Sequence, residues 1–124
     1  MNILIVDDSP AIQTIVRRAL EKEGFADHEF RTANSGMAAL DIIESWVPDL
    51  VLTDWHMPGM GGLELLQVLR QTHGTSMVIG FVTTESVKDR LDEAVRNGAA
   101  FVLPKPFTDA QLGDAVRAAL SNHA

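Results

Sequence analysis

The 124-residue sequence contains no cysteine. Disulfides, thiolate metal sites, iron–sulfur clusters and cysteine nucleophiles are therefore excluded. The absence fits a reducing compartment, and a cytoplasmic location is expected. No apolar run approaches the about 20 residues of a membrane span. Met1 leads almost directly into the first apolar segment with no basic region before it, so neither an anchor nor a signal peptide is expected. Basic residues are in the minority, 10 against 17 acidic ones, for a net charge of −7. A face that grips a phosphate backbone needs the opposite balance, which argues against nucleic acid as a direct ligand and leaves room for an acidic site that takes a divalent cation. Linkers, low-complexity stretches and internal repeats are also missing. Hydrophobic residues make up 46% and charged residues 22%, which excludes a disordered acidic tail, a collagen-like chain and a coiled coil. One domain over residues 1–124, with one sizeable core, is the expectation.

What is present is alternation. Ile3 to Val6 is a short continuous apolar run, as in a strand buried on both faces. Ser9-Pro10 reads as an N-cap with proline at the first helical position. Ile12, Ile15, Val16, Ala19 and Leu20 then form one helical stripe, stopped at Gly24. Glu29 to Ala33 is half polar, as an edge strand can be. Ser35 opens a second helix through about Ser45, and Pro48 blocks its continuation. Leu50 to Leu52 is the third run, and Pro58, Gly59, Gly61 and Gly62 mark Asp54 to Gly62 as a loop. Leu63, Leu66 and Leu69 mark a third helix that ends before Gly74. Met77 to Val82 is the fourth run, with a fourth helix carried by Val87, Leu91, Ala94 and Val95 and closed at Asn97-Gly98. Phe101 to Leu103 is the fifth run. Thr108 with Gln111 is a capping box ahead of the stripe Leu112, Ala115, Val116, Ala119 and Leu120. The pattern is (βα)5: an α/β fold with a doubly wound parallel sheet and helices on both faces.

In such sheets function sits beyond the carboxyl ends of the strands. Those ends carry Asp7 and Asp8, Asp54, Thr83 and Thr84, and Lys105 between two prolines. Clustered carboxylates either take up protons or recruit a cation. An all-oxygen set without His or Cys favours Mg2+ over zinc, and Mg2+ pairs with substrate phosphate. A lysine ammonium and a threonine hydroxyl suit phosphate oxygens, and a carboxylate can be the nucleophile of an acyl phosphate. The chemistry indicated is metal-assisted phosphoryl transfer. Taken singly, Asp7 and Asp8 could cap the first helix, Asp54 could be a turn residue and Lys105 a solvated lysine; the set at four strand ends favours the functional reading.

Asp7-Asp8, Asp54 within DWHMPGMGG, Thr83-Thr84-Glu85 and Lys105-Pro106-Phe107 together resemble response-regulator receiver domains, along the whole chain. The run from Asp54 to Pro58 with Gly62 to Leu66 looks especially like the chemotaxis, CheY-like, branch. The resemblance implies a flavodoxin-like five-stranded sheet of order 2-1-3-4-5. It implies Asp54 as phosphoacceptor and Mg2+ held by Asp8, by Asp7 mainly through water, by Asp54 and by the His56 backbone carbonyl. Lys105 and Thr83 would bind the phosphoryl group, and the Lys105-Pro106 bond would be cis. The implied partners are a sensor histidine kinase or phosphotransfer protein and a downstream target on the face of helix 4, strand 5 and helix 5. Enzymatic action would be limited to phosphorylation and dephosphorylation at Asp54 itself.

Several positions depart from the family or tune it. The family's aromatic three residues before the lysine is here Val102. Phe101 stands one residue earlier and should point to the opposite face, which puts the usual threonine–aromatic coupling in question. Thr84 replaces a usually small residue and should restrict access to the acyl phosphate, and His56 and Glu85 sit at positions that tune rates in receivers. Trp55 is expected on the rim of the site, Trp46 as a helix-end packing residue, and His28, His73 and His123 on the surface. One rival is a phosphorylation-independent binding module, suggested by Val102 and Thr84. Another is a Mg2+-dependent phosphatase of the haloacid-dehalogenase kind, but His56 stands where its second acid would be and a cap domain is missing. A flavin carrier of the same fold class would need a hydroxyl-rich phosphate loop after the first strand.

Overall fold

The computed structural model describes residues 1–123. Five strands alternate with five helices: β1 (Asn2–Val6), α1 (Pro10–Leu20), β2 (Glu29–Ala33), α2 (Gly36–Ile43), β3 (Leu50–Thr53), α3 (Gly62–His73), β4 (Val78–Thr83), α4 (Val87–Arg96), β5 (Phe101–Pro104) and α5 (Asp109–Asn122). The strands form one sheet of order β2-β1-β3-β4-β5 with every pair parallel, as expected.

Side chains alternate across each strand and so build two cores. Leu4, Val6, Val51, Ile79, Phe81 and Val102 pack with Ala39 and Ile43 of α2, Leu65, Leu66 and Leu69 of α3, and Ala94 of α4. Ile3, Ile5, Leu50, Leu52, Val78 and Val82 pack with Val16, Ala19 and Leu20 of α1 and Leu112 and Val116 of α5. The three inner strands are buried on both faces, which explains their unbroken apolar runs, whereas β2 is an edge strand with an exposed, polar middle.

The helix starts match their sequence signals. Ser9 Oγ accepts the Ile12 N–H at 3.3 Å and Ser35 Oγ accepts the Ala38 N–H at 3.1 Å. Thr108 and Gln111 close the capping box through bonds of 3.1 and 2.9 Å. After α1 the chain makes a wide turn, Glu21–Phe25, around Gly24. Helix α2 stops at Ile43, two residues short of the expected Ser45, because Ser45 and Trp46 both donate to the Ile42 carbonyl in a closing turn.

Three stripe positions are corrected. Ile15 is 51% exposed, Leu91 39% and Val95 52%. Helix α1 meets α5 through Val16, Ala19 and Leu20, which leaves Ile15 on the flank with Ile12, lining a hollow of about 300 Å³ with Thr84, Lys105, Pro106 and Phe107. Helix α4 lies against β5, and among its described side chains the buried apolar one is the small Ala94, while Leu91 and Val95 face outward. The Val87 side chain, counted in the same stripe, lies outside the described residues.

Phe101 and Val102 stand on opposite faces as expected, Phe101 with the α1–α5 core and Val102 with the other. In the ladder Phe101 faces Gly80, and its ring lies where a Cβ on residue 80 would be. Only glycine leaves that space.

Candidate functional site

The site residues hang from the ends of the ladder. One step beyond the strands, the Asp7 N–H donates to the Ala33 carbonyl (3.0 Å), the Asp54 N–H to the Val6 carbonyl (3.0 Å) and the Lys105 N–H to the Thr83 carbonyl (2.9 Å). The sheet itself therefore sets where these side chains start. The Lys105-Pro106 bond is cis, as the resemblance implied.

Asp7, Asp8 and Asp54 bring carboxylate oxygens within 4.8 Å of one another. Lys105 Nζ donates to Asp7 Oδ2 at 2.8 Å and to Asp54 Oδ2 at 3.2 Å. The remaining oxygens are also held: Asp7 Oδ1 accepts the Ser9 N–H at 2.9 Å, and Asp54 Oδ1 accepts the Trp55 N–H at 2.7 Å. Asp7 is buried, Asp54 half-buried and Asp8 exposed, so the cluster opens to solvent on the Asp8 side. Burial works to lower the Lys105 pKa. The hydrogen bond to Asp7 and the charges of Asp54 and Asp7 outweigh it, and the net direction is upward.

Three carboxylates against one ammonium leave negative charge uncompensated. The donors are all oxygen and one flank is open to water. That set fits a hard divalent cation that keeps part of its hydration shell.

Glycine makes the loop after Asp54 possible. The Gly62 N–H donates to the Trp55 carbonyl at 2.9 Å. A Cβ on Gly62 would overlap the Asp54 carbonyl oxygen and come within 2.8 Å of the Phe81 ring. The loop can close over Asp54 only with no side chain there.

The other expected residues lie around this centre rather than in it. Thr83 is fully buried, and its Oγ1 accepts the Glu85 N–H at 3.2 Å instead of reaching Asp54. Thr84 is exposed beside Lys105 at the hollow lined by Pro106 and Phe107. The exposed His56 imidazole pairs through Nε2 with Glu85 Oε1, which bridges the two loops on either side of the site. Val102 and Phe101 stay in β5, on its two faces.

Trp55 corrects the expectation of a rim residue. It is 7% exposed, with its ring centroid 4.7 Å from that of Phe81. The Arg90 guanidinium, reaching from α4, covers it at 5.4 Å from the ring centroid. Arg90 Nε also lies 3.5 Å from Glu85 Oε2. Sequence reasoning missed Arg90, because nothing in a polar helix face announces which charge folds back over a distant tryptophan. Trp46 packs at the end of α2 as expected, buried under Arg31 at 4.8 Å and bonded to Glu29. His28 is half-buried rather than free on the surface: Nδ1 meets the Met1 amino group at 2.8 Å and the ring lies against Phe25. His73 is also half-buried and His123 is exposed.

The family model for the response regulator receiver domain matches residues 3–117. The chain belongs to that family. This receiver is 35% identical over 113 residues to the chemotaxis protein CheY-3 of Vibrio cholerae, covering 90% of this chain and 85% of that one. It is 36% identical to the chemotaxis protein CheY of Pseudomonas aeruginosa, covering 87% and 86% respectively. Among solved structures it superposes on the receiver domain of NtrX from Brucella abortus with a TM-score of 0.86, at 31% identity, covering 97% and 98% of the two chains. It is thus a CheY-like receiver of the two-component type. Among the described residues no helix is long and apolar enough to cross a membrane.

Proposed function

We propose that this receiver accepts a phosphoryl group on Asp54 from the phosphohistidine of a sensor histidine kinase or a phosphotransfer protein, in a cytoplasmic phosphorelay. The observation that carries this is the Lys105 ammonium bridging Asp7 and Asp54, with Asp8 in reach of the same space. Asp7, Asp8, Asp54 and the His56 backbone carbonyl would hold Mg2+. When bound, the ion supplies positive charge against the carboxylates and the transferring phosphoryl oxygens.

The chain's own residues do the positioning. A carboxylate oxygen of Asp54 attacks phosphorus, the P–N bond of the donor breaks, and its electron pair goes to the imidazole, which leaves neutral with the proton already carried on its other ring nitrogen. The Trp55 N–H fixes the rotamer of the attacking carboxylate. Lys105, already bonded to Asp54, pairs with the new phosphoryl oxygens. Thr83 turns its hydroxyl from the Glu85 N–H to the phosphoryl group. Water later cleaves the acyl phosphate, releasing inorganic phosphate and returning Asp54 to its free carboxylate. His56, Glu85 and Thr84 ring the mouth and set how fast donor and water enter.

The output is a shift of α4 and the face it shares with β5 and α5, read by a downstream partner protein. Exposed Leu91 and Val95 give that face an apolar surface. The test is intact mass after incubation with acetyl phosphate, with and without Mg2+, for the wild type and Asp54→Asn. One phosphoryl adduct, dependent on Mg2+ and absent from Asp54→Asn, is expected. No adduct under rapid quenching would replace this reading with that of a phosphorylation-independent binding module.

A further inference from the structure

Phosphorylation must be felt at α4, yet the residue through which receivers usually transmit it is missing: Val102 is aliphatic, and the nearby ring of Phe101 lies on the other face of β5. Two chains of contact nevertheless leave Asp54 and Thr83 and meet on one side chain of α4.

The first runs from the acceptor. The Trp55 N–H holds Asp54 Oδ1 at 2.7 Å, and the Trp55 indole has the tilted Phe81 ring at 4.7 Å and the Arg90 guanidinium over it at 5.4 Å from its centroid. The second runs from the switch hydroxyl. Thr83 Oγ1 accepts the Glu85 N–H at 3.2 Å, and the Glu85 carboxylate holds His56 through one oxygen and faces Arg90 Nε through the other at 3.5 Å. Arg90 Nε is buried and makes no hydrogen bond among the described residues. Its side chain is placed by the indole face and the Glu85 charge, both of which lie next to the reacting centre.

We propose that Arg90 is the residue through which the acceptor site positions α4 in this receiver, replacing the threonine–aromatic coupling. The proposal rests on Asp54 phosphorylation and Thr83 reorientation as read above. An acyl phosphate carries nearly two negative charges where the free carboxylate carried one, so about one is added beside Trp55. Once Thr83 bonds the phosphoryl group, the Glu85 N–H loses its acceptor and the Glu85 loop is released. The Glu85 carboxylate is pushed by the new charge and the Arg90 guanidinium is drawn by it. Both changes act on the same residue near the start of a helix whose one buried apolar side chain among those described is the small Ala94. A contact chain becomes a coupling only when an equilibrium at its far end responds, so the test must read α4 itself.

The test compares the wild type, Arg90→Gln and Glu85→Gln, each checked for folding by circular dichroism. Acetyl phosphate and Mg2+ are added, the adduct is read by intact mass, and the amide resonances from Leu91 to Arg96 are followed in labelled protein. In the wild type the adduct forms and these resonances shift. Because Glu85 sets rates at the mouth of the site, the proteins are compared at equal adduct fraction by intact mass; at that fraction the α4 shifts are expected to shrink by about fivefold or more in both variants, the scale of an allosteric coupling that has been cut. Phosphorylated variants whose α4 shifts match the wild type would overturn the role of Arg90 while leaving Asp54 as acceptor. A wild type that forms no adduct would overturn the function itself, and this inference with it.

Discussion

Replacing Lys105 by Met removes one charge and keeps most of an aliphatic stem that lines the hollow with Ile12, Pro106 and Phe107. What is lost is the ammonium between Asp7 and Asp54, at 2.8 and 3.2 Å, in a trio whose side chains are only 5–12% exposed. At an effective dielectric constant near 20 each such contact represents about 5 kcal/mol of attraction before desolvation is charged against it. Cutting one partner out of a buried pair costs about 3–5 kcal/mol net. The open Asp8 side admits water, so about 3 kcal/mol, the lower end of that range, is expected here. For a domain of this size that corresponds to a Tm about 10 °C lower in EDTA. A divalent cation supplies the missing charge, and the gap narrows by the ratio of the two dissociation constants: a cation held a hundredfold more tightly by the variant returns about 2.7 kcal/mol at saturation. Without Lys105 to compete for the same oxygens, the cation binds more tightly. Thermal melts of both proteins in EDTA and across a Mg2+ titration test this. Lys105→Met should fall well below the wild type in EDTA and regain most of the gap in Mg2+. A Tm within about 2 °C of the wild type in EDTA, or equal Mg2+ shifts for the two proteins, would refute the claim that the ammonium neutralises this cluster.

Three further outcomes are expected. The raised Lys105 pKa makes its stabilisation complete below the ordinary lysine value of about 10.4 and lost as pH climbs through the higher folded value. In EDTA the stability gap between wild type and Lys105→Met should therefore stay level through neutral pH and close on the alkaline limb, as urea melts from neutral to alkaline pH would show. Gly62→Ala should cost about 1–3 kcal/mol by urea denaturation, because the new methyl lands on the Asp54 carbonyl and the Phe81 ring; an unchanged midpoint would mean the loop yields. In a Trp46→Phe background, Asp8→Ala should abolish the Mg2+ response of Trp55 fluorescence without lowering stability in EDTA, and a retained response would put the metal elsewhere.

The fold was legible because its elements are local. Four apolar runs, one half-polar edge segment, three hydroxyl N-caps and two prolines at helix edges each act within a few residues, and alternation makes the strands parallel; the order of the strands was implied by the family resemblance and is the order found. The acids and the lysine were legible because each stands immediately after a strand, where a parallel sheet delivers its side chains to one edge. The errors fall where a long-range contact decides. Trp55 looked like a rim residue because it follows Asp54 in a glycine-rich loop; Phe81 and Arg90, from two other elements, pack on it and help bury it. Ile15, Leu91 and Val95 fit helical stripes yet face solvent, because a stripe gives the apolar side of a helix and not the depth to which it docks. His28 was placed on the surface for want of a motif, and its partner is the amino group at the start of the chain.

The amides that place Asp7, Asp54 and Lys105 are rungs of the sheet, whereas the Glu85 amide is tied only to a hydroxyl that signalling must pull away. Hydrogen exchange separates such groups by how much structure must open to release them. The three ladder amides should exchange on the slow timescale of the inner strands, and the Glu85 amide on the fast timescale of a loop. One pocket would then carry two clocks, with the groups that do the chemistry held by the least yielding part of the molecule and the message leaving through the part that yields first.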